Sequence, residues 1–147
     1  MKIFATQEFI DELKSISKNN SHTDCEKNII NSISNKTLEQ LKEGALRIGG
    51  NIDLNPFMRK RISKTTSGKS GGYRLYLWLY KIEDSIFLIF IHPKSSGRNA
   101  GTNITNEKQK ELVKAFLKDK KDNNLIQVKI NKTKDKFIKV KDKIIKS

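Results

Sequence analysis

Cys25 is the chain's single cysteine, so neither an internal disulfide nor a paired-cysteine metal site can form. A buried or incidental thiol is the expected role. No apolar run approaches the roughly 20 residues that span a bilayer. The opening Met1-Lys2-Ile3-Phe4-Ala5 lacks the long apolar stretch of a secretory signal. These absences predict a cytoplasmic protein with no membrane partner. No internal repeat and no long linker is visible. The 147 residues amount to one domain, long enough to bury a core. Apolar residues make up 35% and charged residues 31%, so the core must be economical and the surface heavily charged.

Acidic side chains are scarce wherever basic ones collect. Residues 1–58 carry 7 basic and 8 acidic groups, a net of −1. Residues 59–117 carry 12 and 4, net +8, and residues 118–147 carry 11 and 4, net +7. The positive field therefore belongs to the middle and the end of the chain. By itself such a field suits nucleic acid, an anionic membrane or an acidic protein, without choosing among them.

What is present is concentrated between Arg59 and Arg74. Six of these sixteen residues are Arg or Lys, none is acidic, and Gly68, Gly71 and Gly72 lie among them. A cationic loop with small residues, held between two strands, lets main-chain N–H groups approach an anion while the side chains supply charge. Gly68-Lys69-Ser70 has the ending of a phosphate-binding P-loop. The first glycine of that motif would fall at Ser63, however, and no strand–loop–helix context surrounds it, so an NTPase is rejected.

Periodicity predicts the elements around this stretch. Thr6 caps a helix with Phe9, Ile10, Leu13 and Ile16 on one face, broken at Asn19-Asn20-Ser21. A second helix runs from about Asp24 to Ile33. A third starts at Thr37, with Gln40 completing a capping box, and ends near Gly49-Gly50. Strands follow over Leu54–Ser63, Tyr73–Lys81 and Ile86–Ile91, with short ones at Lys2–Phe4 and Leu125–Ile130. In the middle strand Leu75, Leu77 and Leu79 lie on one face, which should meet the helices. Arg74, Tyr76, Trp78 and Tyr80 lie on the other, the candidate working surface, although Trp78 is expected to pack beneath the last helix. Asn103 or Thr105 caps that helix, which contains Leu112, Val113, Phe116 and Leu117. Beyond Lys132 the Lys-rich chain fits a frayed tail, an edge strand or an amphipathic helix.

The basic pair, Arg-Ile, short turn and Gly-Lys-Ser-Gly-Gly-Tyr-Arg resemble the RelE/ParE superfamily of toxins from bacterial toxin–antitoxin modules, nearest its RelE/HigB-like branch. The resemblance continues through Ile86–Ile91 and His92-Pro93-Lys94 into the last helix, and reaches back to Phe4…Phe9 and Gly49-Gly50. It implies an α+β, RelE-like fold. This would be a mostly antiparallel twisted sheet of about four strands, with N-terminal helices on one face and a C-terminal helix. The toxin domain would cover residues 1–130, and residues 131–147 would form a Lys-rich tail or edge element.

The resemblance also implies a ribosome-dependent mRNA endonuclease that needs no metal and no cofactor. Its partners would be a cognate antitoxin, mRNA, and the ribosome with its 16S rRNA at the A site. The reaction is attack of a ribose 2′-OH on the adjacent phosphate, which requires a base, cations for the phosphorane and an acid for the leaving oxygen. Carried over by position, Arg74 binds the scissile phosphate, and Arg59 and Arg61, alternating onto one side, stabilise it. Lys69 contacts neighbouring backbone, and Lys60 and Lys69 are the lysines to consider as the general base, since crowding by cations favours a neutral amine. Lys94 and Arg98 follow the last strand, where a further cation would serve the leaving oxygen. Lys60, Lys64, Tyr76 and His92 complete the candidates for RNA contact, although Lys60 alternates to the opposite face from the arginine pair. Tyr76 has two readings: it stacks on a base, or it packs with Trp78 and Tyr80 beneath the last helix or the tail. His92, ending a strand near the cleft, is open to both a catalytic and a structural reading. The family's C-terminal tyrosine has no counterpart, since no Tyr follows Tyr80. Two other functions remain open on the residues: a ParE-like gyrase inhibitor, and a non-catalytic RNA- or DNA-binding module.

Overall fold

A computed structural model describes residues 1–64, 72–93 and 104–140. Four helices, α1 (Gln7–Ser17), α2 (Cys25–Ile33), α3 (Leu38–Glu43) and α4 (Asn106–Lys121), surround one sheet. Its strands are β1 (Lys2–Ala5), β2 (Leu46–Asn51), β3 (Asn55–Ile62), β4 (Tyr73–Tyr80), β5 (Ser85–Pro93), β6 (Ile126–Ile130) and β7 (Phe137–Lys139). They lie in the order β2-β3-β4-β5-β1-β6-β7. Only β1 and β5 pair in parallel; the other neighbours are antiparallel.

The α+β class stands, but the expected sheet of about four strands is corrected to a mixed sheet of seven. The strands at issue are β2 and β7. β2 occupies the stretch read as the end of the third helix. That helix stops at Glu43, its last turn closed by Gly44 N–H to the Gln40 carbonyl, and the chain then extends to pair with β3. β7 is three residues long and joins the sheet through β6, so residues 137–139 form an edge strand.

Local chemistry sets the helix starts. Thr6, Thr37 and Thr105 each cap a helix through the side-chain oxygen, and Gln40 closes the capping box on Thr37. The Thr6 hydroxyl also donates to the Ile89 carbonyl at 3.0 Å, stitching α1 to β5.

The two faces of the sheet carry different cores. Leu75, Leu77 and Leu79 of β4, with Met58, Ile86, Leu88 and Ile91, meet Phe9, Leu13, Ile29 and Ile33 of α1 and α2. The opposite face is aromatic: Phe57, Tyr76, Trp78, Phe87 and Phe90 pack under Leu112 and Phe116 of α4. Trp78 stacks on Phe116 with centroids 5.2 Å apart, and its indole N–H donates to the Asn55 carbonyl. Lys108–Glu8 and Lys120–Glu83 ion pairs tie the two ends of α4 to the body. Among the described residues, no helix is long and apolar enough to cross a membrane.

Candidate functional site

The hairpin of β3 and β4 aligns the arginines by register. Arg61 faces Arg74 across β3–β4, and Arg74 faces His92 across β4–β5. One row further along, Arg59 faces Tyr76. Residues directly opposite in an antiparallel pair share a face, with Cβ atoms about 4.5–5.5 Å apart. Arg61, Arg74 and His92 therefore form a line across three strands on the aromatic face, with Arg59 beside it.

Arg59, Arg61 and Arg74, with residues 43–46 between α3 and β2, line a depression of about 430 Å³. Glu43 is the acidic member of this lining, but neither Arg59 nor Arg61 forms an ion pair among the described residues. Three guanidiniums on one wall, always charged, make a site for an anion with several oxygens.

His92 reaches this face because of a bulge. Tyr76 pairs with Phe90 and Leu77 with Leu88, so the register skips Ile89. Phe87, Ile89 and Phe90 consequently all join the aromatic core, whereas Ile86, Leu88 and Ile91 join the aliphatic one. Regular alternation from Ile86 would have turned His92 toward the leucine face; the extra residue turns it toward Arg74.

The His92 ring lies 6.0 Å from Tyr76 and 6.2 Å from Phe90. Its Nδ1 is 3.1 Å from the Pro93 carbonyl, which can only accept, so Nδ1 carries the proton. Nε2 then holds a lone pair; it is shielded from solvent and has no hydrogen-bond partner among the described residues. Burial pushes the His92 pKa below the ordinary 6.5, and the charges of Arg74 and Arg59 push the same way, against the Pro93 hydrogen bond. A neutral imidazole with an unengaged nitrogen beside arginines suits proton abstraction.

Other candidates lie elsewhere. Lys60 points to the opposite face, is buried, and donates from Nζ to the Gly44 carbonyl at 3.3 Å. Burial, then Lys36, lower its pKa. Lys64 is near enough to His22 to depress that histidine's pKa, after burial. Tyr76 is fully buried within the aromatic layer, and its hydroxyl accepts from Ile104 N–H at 3.5 Å, so its ring is closed to a stacking base. Lys69, Lys94 and Arg98 fall outside the described residues.

Sequence reasoning missed the anchor beneath the hairpin. The Tyr73 hydroxyl donates to Asp24 at 2.8 Å and lies 3.3 Å from His22 Nδ1. Asn28 donates to both Asp24 and the Ser63 carbonyl. Helix α2 thus holds both stems of the 64–72 connection. Burial, helped by Asp24, keeps the Tyr73 phenol strongly protonated and pushes the Cys25 thiol up to about 12, so Cys25 is no nucleophile. At the end of the connection Gly72 has φ +139°, and a Cβ there would sit 2.8 Å from the Ile62 carbonyl. The spacing of Asp24 and Asn28, one helical turn apart, was the only signal of this anchor.

No curated protein and no solved structure matches the chain. A family model does, described as RelE toxin of RelE / RelB toxin-antitoxin system, over residues 1–140. That span takes in every strand and helix above, from β1 to β7, so the chain belongs to the RelE family of toxins, whose partner is an antitoxin.

Proposed function

We propose that this toxin is a metal-independent endoribonuclease that cuts mRNA in the ribosomal A site and thereby stops translation. The observation that carries the reading is the line Arg61–Arg74–His92, with Arg59 beside it, on one face of the sheet. Cations and a neutral base side by side are what cleavage through a 2′-OH needs. His92 Nε2 takes the 2′-OH proton as the O2′–P bond forms. Arg74, flanked by Arg61 and Arg59, neutralises the charge that grows on the phosphorane oxygens. The P–O5′ bond then breaks, and O5′ takes a proton, for which Lys94, next after Pro93 in the chain, is the candidate donor. The products are a 2′,3′-cyclic phosphate and a 5′-OH. DNA has no 2′-OH and is not a substrate. Because Nε2 is shielded, the substrate has to open the site's mouth before the base can work. Lys69 and Arg98 are proposed as contacts to flanking RNA backbone.

Primer extension on cellular mRNA after induction tests this reading directly, alongside a plasmid supercoiling assay. Discrete cuts within codons under translation are expected, and they should vanish in the Arg74→Ala protein. Intact mRNA with gyrase-dependent DNA damage would instead identify a gyrase inhibitor. Neither effect would leave a binding module.

A further inference from the structure

A groove on the face of the sheet that α1 covers, remote from the arginine line, has a composition that the nuclease reading does not use. It lies between α1 and the β6–β7 hairpin and encloses about 600 Å³. Phe9, Leu13, Val128 and Phe137 make its apolar floor. Lys14 on α1 and Lys18 at its C-terminal cap, one helical turn apart, stand along one wall, with Lys136 and Lys139 on the hairpin side. All four lysines are exposed. Glu26, the acidic member of the lining, is already engaged: it pairs with Lys136 at 3.4 Å and accepts from the Phe137 N–H at 2.8 Å. Lys14, Lys18 and Lys139 therefore face the groove without a compensating carboxylate among the described residues. The Ser17 hydroxyl in the same wall is buried with no hydrogen-bond partner among the described residues.

We propose that this groove seats an acidic amphipathic segment of the antitoxin, its apolar side chains on the floor and its Asp and Glu residues against the lysines. The inference rests on the family's antitoxin partnership and not on the nuclease reading, so the two can fail separately. The chemistry selects among occupants. A nucleic acid would answer the lysines but leave the apolar floor unused. A second copy of this chain would bring a net charge of +14 toward a wall of like sign. Residues 141–147 carry three lysines against one aspartate and are repelled for the same reason. An amphipathic helix with acidic flanks satisfies floor and rim together. The antitoxin would then grip the toxin on the face away from the arginines, leaving other parts of its chain to reach the site.

The experiment uses the full-length toxin and the antitoxin encoded beside it, with affinity measured by calorimetry at two salt concentrations. Lys14→Glu with Lys18→Glu should weaken binding by about tenfold or more, with the thermal melt and growth arrest unchanged. Lys139→Glu, on the opposite wall, should weaken it independently, so that misfolding of one variant does not decide the matter. Hydrogen exchange should show the antitoxin protecting amides in residues 7–18 and 126–140. Undiminished affinity in both folded variants overturns the proposal. So does loss of growth arrest at undiminished antitoxin affinity, which would make the lysines RNA contacts. Dissociation of a wild-type dimer by the double substitution would assign the groove to a second copy and overturn it as well.

Discussion

One face of the sheet shows two regions built on the same strands with opposite purposes. Toward Tyr80 the face is aromatic and sealed: Trp78 and Phe87 lie within 5.2 Å of the Phe116 ring, and Lys120 sits over Tyr80. Toward Arg74 the same strands carry guanidiniums and an imidazole beside a depression. The boundary falls at Tyr76, whose ring belongs to the sealed half and whose row contains Arg59. Alternation decides which residues share a face, but what covers each half decides whether that face is core or site. Here α4 covers one half only.

Breaking the sealed half should cost stability and nothing specific. Phe116 is fully buried among the rings of Trp78, Tyr80 and Phe87, and Phe116→Ala should destabilise the fold by about 3–5 kcal/mol, read from chemical denaturation. Loss of toxicity in that variant should track the unfolded fraction. At the open half the outcome should be reversed. Arg74→Ala and Arg61→Ala should each lower mRNA cleavage by about 10²–10³-fold and relieve growth arrest, with the denaturation midpoint unchanged. If both variants still arrest growth fully, the arginine line is not the site.

The readable part of the molecule was its local chemistry. Thr6 and Thr37 with Gln40 mark helix starts in the sequence because a cap is settled within four residues, and of the two caps it offers for the last helix, Asn103 and Thr105, Thr105 is the one used. Leu75, Leu77 and Leu79 announced a core face because alternation is a property of the strand itself. What stayed hidden depends on distant partners. Leu46–Asn51 reads equally as the end of a helix until β3 lies beside it, and Phe137–Lys139 is a strand only because β6 accepts it. The run from Ile86 to Ile91 is apolar throughout, so nothing in it marks Ile89 as the residue that breaks the register and sets the face of His92. Whether Tyr76 stacks on a base or packs beneath the last helix is decided by the position of α4 over the strand, a tertiary fact.

His92 touches both halves, through Tyr76 and Arg74. With its pKa lowered, the ring is neutral at pH 7 and gains a proton only below pH 6.5. As a base it must be neutral, so the acid limb of cleavage in a translating extract should lie below pH 6.5, with a slope of about tenfold per pH unit. Stability moves in the same direction. His92 and His22 both have lowered pKa values, so between those values and 6.5 the unfolded chain binds more protons. Stability is therefore full above pH 6.5 and is lost as pH falls through the folded values. His92→Gln should remove the cleavage limb and keep the share of the stability loss that belongs to His22. A limb unmoved by that substitution would assign the base elsewhere.

The smallest effect is expected at Lys60, where sequence and space part company. It stands between Arg59 and Arg61 in the chain, yet its side chain is buried on the far face against the Gly44 carbonyl. Lys60→Met removes a desolvated ammonium while leaving that carbonyl without this donor. These opposing terms should keep the stability change within about 1 kcal/mol. Cleavage should stay within about twofold, since no charge leaves the arginine face and the substitution conserves the side chain's bulk. A fall comparable to that of Arg61→Ala would mean that position along the chain, rather than the face of the strand, decides which cations meet the phosphate.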